Sequence, residues 1–208
     1  RIHENNKDYD DAKKNAKKYV KSKKNYFYFD GCREDIFWGN GSLIIELINN
    51  FSKKEKDFFN KNIAIILPLG VGSLATPCTI MLKHYFKNAT VIIAEALNYC
   101  KFFYTFDNKY KPSFKKTISE GTAVKKLPEL SYNILKKSVD YVCTNNEKEI
   151  VGAMNYLFSN FNIKSEGAGA LTTACLIYNQ KFFKDYDYVI IPICGKNINN
   201  KLFKKILY

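Results

Sequence analysis

Residues 68–74 read Pro-Leu-Gly-Val-Gly-Ser-Leu, directly after an apolar run and directly before a helical pattern. Glycines there let the backbone turn its N–H groups toward an anion, and a helix start adds partial positive charge. A phosphate is the natural guest of Gly70, Val71, Gly72, Ser73 and Leu74. The full dinucleotide fingerprint is not met, because Ala75 stands where a third glycine belongs, and the Walker pattern is absent too. An ordinary strand-to-helix turn would use the same residues. A second segment, Ile193-Cys194-Gly195-Lys196-Asn197, follows another apolar run. Its thiol can meet a ligand nitrogen, or it can be a small apolar side chain before a turn. A third, Glu166-Gly167-Ala168-Gly169-Ala170, suits close approach to a flat ligand, and equally helix–sheet packing.

Other chemistries find little material. Two histidines, His3 and His84, exclude a His-rich metal site. The cysteines Cys32, Cys78, Cys100, Cys143, Cys175 and Cys194 are scattered with no C-x-x-C pair. They read as reduced thiols of an intracellular protein, cytoplasmic rather than organellar. Lys+Arg 33 against Asp+Glu 20 gives a net charge of +13. The excess is mostly lysine, spread along the chain among Asn and Tyr, as AT-rich coding and a solvated surface would produce. The rival of another class is a basic nucleic-acid-binding protein, using Lys13 to Lys24 on phosphate backbone. Nucleic acid is not the expected partner.

The 208 residues, 46% hydrophobic, are enough for one domain with a real core. No stretch of about eighteen uncharged apolar residues exists, so no membrane span is expected. The pattern alternates. Tyr9 to Val20 is helical by spacing; Tyr26 to Phe29 reads as a short strand stopped at Asp30-Gly31; Ser42 is placed to cap a helix through Phe51. Ile63 to Leu67 and Val91 to Ala94 are runs of strands buried on both faces, with a helix through Ile80 and Tyr85 between them. An irregular region from Tyr99 to Pro128 precedes a helix at Tyr132 to Val139. Thr144 and Glu147 have capping-box spacing ahead of a helix through Phe158. Gly167 opens another helix, Tyr188 to Ile191 is a last buried strand, and Leu202 to Leu207 a short basic helix. Such alternation predicts an α/β fold, an open, mostly parallel sheet with helices on both faces. Ligands in such sheets sit beyond the carboxyl ends of the strands.

Taken in order, these segments resemble the serine/threonine dehydratase group of pyridoxal-phosphate enzymes, which share the tryptophan synthase β-like fold. Leu69 to Leu74 looks like its phosphate cup. Thr117-Ile118-Ser119-Glu120-Gly121-Thr122-Ala123-Val124 looks like its T-I-A-D-G-I-A-V. Glu166 to Ala170 looks like its E-G-A-G-A, and Cys194-Gly195-Lys196-Asn197 resembles S/C-G-G-N. Upstream, Phe29-Asp30 and Gly39-Asn40-Gly41-Ser42 resemble F-D-D and G-Q-G-T. The resemblance implies pyridoxal phosphate as cofactor, its phosphate on the N–H groups of Gly70 to Leu74 and its pyridine nitrogen facing Cys194. It implies deamination of L-threonine or L-serine to a 2-oxo acid and ammonia by β-elimination. A neutral thiol at the ring nitrogen suits elimination. Cys194 and Gly72 are then expected on the order of 8–12 Å apart, across one ring.

Residues 1–208 are accordingly expected to form the large cofactor domain, without the N-terminal part that carries the Schiff-base lysine. The start at Arg1 fits a fragment. Ser113-Phe114-Lys115 spells the lysine motif in the wrong place of the family's order, so Lys115 reads as a solvated loop residue. Some relatives hold a divalent cation with a Glu after a strand and an Asp six residues on. Glu95 matches the Glu, and Lys101 stands in the place of the Asp. A catalytically inactive relative and a serine racemase-like protein share these motifs and stay open. A small amino-acid substrate is expected, and a homodimer is compatible.

Overall fold

The computed structural model describes residues 6–207 apart from 30, 32, 56, 108 and 109. His3, Cys32 and Asp30 of the F-D-D match lie outside the described residues.

Among the described residues, seven α-helices and four strands follow in the order α1 (Tyr9–Lys21), α2 (Glu34–Phe51), β1 (Ile63–Pro68), α3 (Ala75–Tyr85), β2 (Thr90–Ala96), α4 (Glu129–Ser138), β3 (Tyr141–Asn145), α5 (Glu147–Phe161), α6 (Gly167–Tyr178), β4 (Tyr188–Ile190) and α7 (Asn200–Leu207). The strands form one parallel sheet ordered β3-β2-β1-β4. Alternation along each strand divides the core in two. Ile63, Ile65, Leu67, Val91 and Ile93 pack with Ile44, Ile48, Leu82 and Leu135 of α2, α3 and α4. Ala64, Ile66, Ile92 and Ala94 pack with Met154, Leu157, Leu171 and Phe203 of α5, α6 and α7 on the other face. The expected α/β arrangement, an open parallel sheet with helices on both faces, is present. Because all four strands are parallel, all four carboxyl ends, and the loops that leave them, reach one edge. No helix among the described residues is long and apolar enough to cross a membrane.

Local readings change in four places. Ser42 caps nothing: it lies inside α2, its hydroxyl donating back to the Gly39 carbonyl at 2.8 Å. The helix begins earlier, and a Cβ at Gly41 would come within 3.4 Å of Met81 and Pro77, so a small residue here allows α2 and α3 to pack closely. Tyr26 to Phe29 forms no strand, because no neighbouring strand pairs with it among the described residues, and Tyr26, Phe27 and Phe29 stay exposed. The capping box belongs to Asn146 and Glu149, not to Thr144 and Glu147. Asn146 Oδ1 accepts from the Glu149 N–H at 3.1 Å, and Glu149 Oε2 from the Asn146 N–H at 2.8 Å. Thr144 is claimed by β3, a strand too short and too exposed for the apolar pattern to mark. Finally, β4 is a three-residue edge strand, half-buried rather than buried.

Candidate functional site

The Gly70–Leu74 loop leaves β1, a central strand, and runs into α3. Gly72 takes φ +90, in the left-handed region, and the neighbouring Val71 is spared that strain. Five carbonyls of the loop and its flank are held by the protein. Leu69 O accepts from Lys101 Nζ at 3.1 Å, Val71 O from Ser131 Oγ at 3.0 Å and Ser73 O from Asn40 Nδ2 at 2.8 Å. Gly72 O accepts from the Thr76 N–H at 2.9 Å and Leu74 O from the Cys78 N–H at 3.2 Å. In a trans peptide the C=O and the following N–H point in opposite directions. Tying Leu69, Val71, Gly72 and Ser73 through their oxygens therefore turns the N–H groups of Gly70, Gly72, Ser73 and Leu74 the other way. Among the described residues, those same four N–H groups find no protein acceptor. Four of the loop's donors are thus available to an anion, at the positive end of α3.

Two further observations fit a phosphate. A Cβ on Gly72 would lie 2.6 Å from Ser131 Oγ and 2.9 Å from Thr76 Oγ1, so only glycine fits. The Thr76 hydroxyl is fully buried with no hydrogen-bond partner, an uncommon state for a buried polar atom.

Beside the loop lies a buried ion pair. Glu95 is fully buried at the end of β2, and Lys101 is 8% exposed. Lys101 Nζ lies 3.3 Å from Glu95 Oε1. The N–H of Phe102 donates to Glu95 Oε2 at 3.0 Å and that of Phe103 at 2.8 Å. Burial pushes the Glu95 carboxyl above its ordinary range, and Lys101 with the two N–H donors works against it. Glu95, the cation-ligand candidate, thus has an ammonium as neighbour, and no cluster of three or more His, Cys, Asp or Glu able to hold a metal occurs among the described residues.

Cys194 follows β4, next to β1 at the same sheet edge, and is half-buried. Burial pushes its thiol up, which keeps it neutral. Burial first, then neighbouring Cys194, push the Cys78 thiol of α3 up to about 12. Cys194 thus lies within electrostatic reach of the helix that starts at the Gly70 loop. The other motifs meet there too. The Gly121 carbonyl lies 3.0 Å from where a Gly70 Cβ would be, and a Cβ on Gly169 would lie 2.5 Å from the Gly195 carbonyl. A cavity of about 460 Å³ is bounded by Thr117, Ile118, Glu120, Glu166 and Asn197; its walls come from these segments and not from Gly70–Leu74. Burial, then Glu120, raises the Glu166 carboxyl. Lys115 is exposed, in the loop that also holds Phe114 at φ 54.

Asn40, Thr76 and Ser131 were not singled out by sequence. Asn40 lay within a matched motif but without a role, and the other two belong to no spacing pattern; only the fold brings them to the loop.

The comparisons agree with this geometry. The chain matches the family described as pyridoxal-phosphate dependent enzyme over residues 1–195, and it belongs to that family. It is 25% identical to an L-threonine ammonia-lyase of Thermotoga maritima over 83% of this chain and 41% of the relative. It is 29% identical to a catabolic L-threonine dehydratase of Staphylococcus aureus over 79% of this chain and 46% of the relative. Among solved structures, serine racemase from Dictyostelium discoideum matches at 28% identity and TM-score 0.65, over 78% of this chain and 50% of that one. A pyridoxal 5'-phosphate-dependent aspartate racemase shares the fold at TM-score 0.75 and 21% identity, over 90% of this chain and 57% of that one. The chain spans about half the length of the relatives it matches. Pyridoxal phosphate is the cofactor of this family.

Proposed function

We propose that this chain supplies the phosphate site and the ring-nitrogen partner of an enzyme that deaminates L-threonine or L-serine to a 2-oxo acid and ammonia by β-elimination. Residues 1–208 act as its large cofactor domain, and the lysine that attaches the cofactor comes from outside them. Bound pyridoxal phosphate supplies an electron sink for bond breaking beside the amino group. The N–H groups of Gly70, Gly72, Ser73 and Leu74 hold the phosphate, with the α3 N-terminus adding partial positive charge. Cys194, whose thiol burial pushes up, would offer the ring nitrogen a neutral hydrogen-bonding partner rather than a charged one. A serine racemase-like activity is the second reading, supported by the 28% identity to a structure of that name.

The observation that carries the proposal is the loop in which the carbonyls of Leu69, Val71, Gly72 and Ser73 are tied and the N–H groups of Gly70, Gly72, Ser73 and Leu74 find no acceptor among the described residues. The chain should bind pyridoxal phosphate, measured by fluorescence titration, and should bind pyridoxal, which lacks the phosphate, at least about tenfold more weakly. Equal affinity for the two would remove the phosphate site. Given pyridoxal phosphate and serine or threonine, the chain by itself should release no 2-oxo acid and no D-serine. Steady turnover would assign the lysine to Lys115 or another residue here.

A further inference from the structure

The Glu95–Lys101 pair sits where stability alone gives little reason for it. An apolar pair of similar volume often stabilises a core as well as a buried ion pair does. An apolar pair cannot, however, hold a carbonyl. Lys101 Nζ touches two oxygens of different kind, a carboxylate at 3.3 Å and the Leu69 carbonyl at 3.1 Å. Oxygens of these two types are what a hard cation collects. An ammonium has three donors and no acceptor, so it fills such a place as a point charge on a stem.

The stem is brought there by the local chain. After β2 the backbone doubles back through short helical turns at Leu97–Tyr99 and Phe103–Thr105. The turn is fixed on Glu95 by the Phe102 and Phe103 N–H groups, which leaves Lys101 pointing across to Leu69. Leu69 itself is anchored by its N–H to Ala94 O at 3.2 Å. The Leu69 carbonyl and the Gly70 N–H belong to one planar peptide. Whatever holds that oxygen therefore aims the first donor of the phosphate loop.

We propose that the Lys101 ammonium is a tethered internal cation that seats Leu69 against Glu95 and so orients the Gly70 N–H, and that shortening this side chain opens a place which a small free cation fills. Lys101 is then a positioning residue, and the proposal rests on the reading of Gly70–Leu74 as the phosphate site.

The test uses the whole chain with Lys101→Ala. Thermal midpoint and pyridoxal phosphate affinity are measured in ammonium, ethylammonium, potassium and tetramethylammonium chlorides at equal ionic strength. In tetramethylammonium the affinity of the variant should fall about tenfold, the scale of a lost charged hydrogen bond. Ammonium, ethylammonium or potassium should restore both readouts, and the unaltered chain should respond to none of them. A variant that no small cation restores, or an unaltered chain that responds equally, overturns the proposal. Lys101→Met covers the case in which the alanine variant does not fold. It keeps the buried stem, so it should fold, lose the affinity and be restored by no salt, and unchanged affinity there also overturns the proposal. An unaltered chain that binds neither pyridoxal phosphate nor inorganic phosphate defeats the cofactor reading, while the cation-dependent midpoint of Lys101→Ala still decides whether Lys101 occupies a cation's place.

Discussion

The loop after β1 and the loop after β4 leave the same edge of one sheet, yet they are built differently. β1 is a central strand with parallel partners on both sides, and its residues Ile63 to Leu67 are fully buried. The loop it launches has carbonyls held by four side-chain and backbone systems, from α2, α3, α4 and the turn after β2. β4 is a three-residue edge strand, half-buried, with its Cys194 loop held on one side by the start of α6, where the Glu166 N–H donates to Gly195 O at 3.2 Å. A phosphate needs several donors in fixed positions, whereas a ring nitrogen needs one neutral partner. Under the proposed function, the difference would concentrate affinity at the central strand and leave the edge loop to adjust the chemistry of the bound group.

The sharpest way to break this contrast is Gly72→Ala. The new Cβ would meet Ser131 Oγ at 2.6 Å, and so push aside the group that holds Val71 O, at a φ of +90. Strain at positive φ and overpacking together should cost about 2–5 kcal/mol. Urea unfolding should show the midpoint falling, and pyridoxal phosphate titration should show affinity reduced by roughly a hundredfold. A variant with unchanged midpoint and affinity would mean that the loop is an ordinary turn.

The edge loop should respond far less. Cys194→Ser keeps a neutral hydrogen-bonding group at a half-buried position, so pyridoxal phosphate affinity should stay within about threefold and stability within roughly 0.5–1 kcal/mol. Cys194→Asp should leave affinity similarly placed but raise the pH at which the bound ring loses its proton, read from the cofactor's absorbance as pH is varied. Loss of binding by Cys194→Ser on the scale of Gly72→Ala would move the anchor to the ring side.

The two loops also differ in how far the residues announce them. The runs Ile63 to Leu67 and Val91 to Ala94 are apolar because both faces of a central parallel strand are covered, and that pattern is visible directly. The Gly70–Leu74 loop is visible because a turn needing positive φ demands glycine. β3 was not legible, because it is a partly exposed edge strand of mixed composition, and β4 was found where expected but half-buried, because an edge strand is covered less than a central one. The start of α2 was missed for a different reason: Ser42 looks like a cap, while Gly41 inside the helix answers to the approach of α3, a tertiary demand that local spacing does not show. The holders of the loop, Asn40, Thr76 and Ser131, come from three different helices, and no local spacing links them.

The smallest expected effect lies at one of those holders. Thr76 donates its N–H to Gly72 O, and its hydroxyl is buried without a partner. A valine has nearly the same shape and keeps the backbone bond. Leaving a buried hydroxyl unsatisfied costs about 1–3 kcal/mol, so its replacement by a methyl group should raise the stability of the ligand-free chain by up to about 1 kcal/mol. In the presence of phosphate the balance changes, because a hydroxyl beside Gly72 at the start of α3 is placed to turn toward an anion held by the loop. Thr76→Val should therefore bind pyridoxal phosphate a few-fold more weakly, about the worth of one neutral hydrogen bond. The sign of the effect thus reverses between two measurements on one variant: the thermal midpoint rises without ligand, and the added stabilisation from saturating pyridoxal phosphate shrinks. A midpoint that falls without ligand would show that the hydroxyl has a structural partner. Unchanged affinity would show that Thr76 serves the loop through its backbone alone, and would leave the four N–H groups of Gly70, Gly72, Ser73 and Leu74 as the whole of the donor set at the central strand.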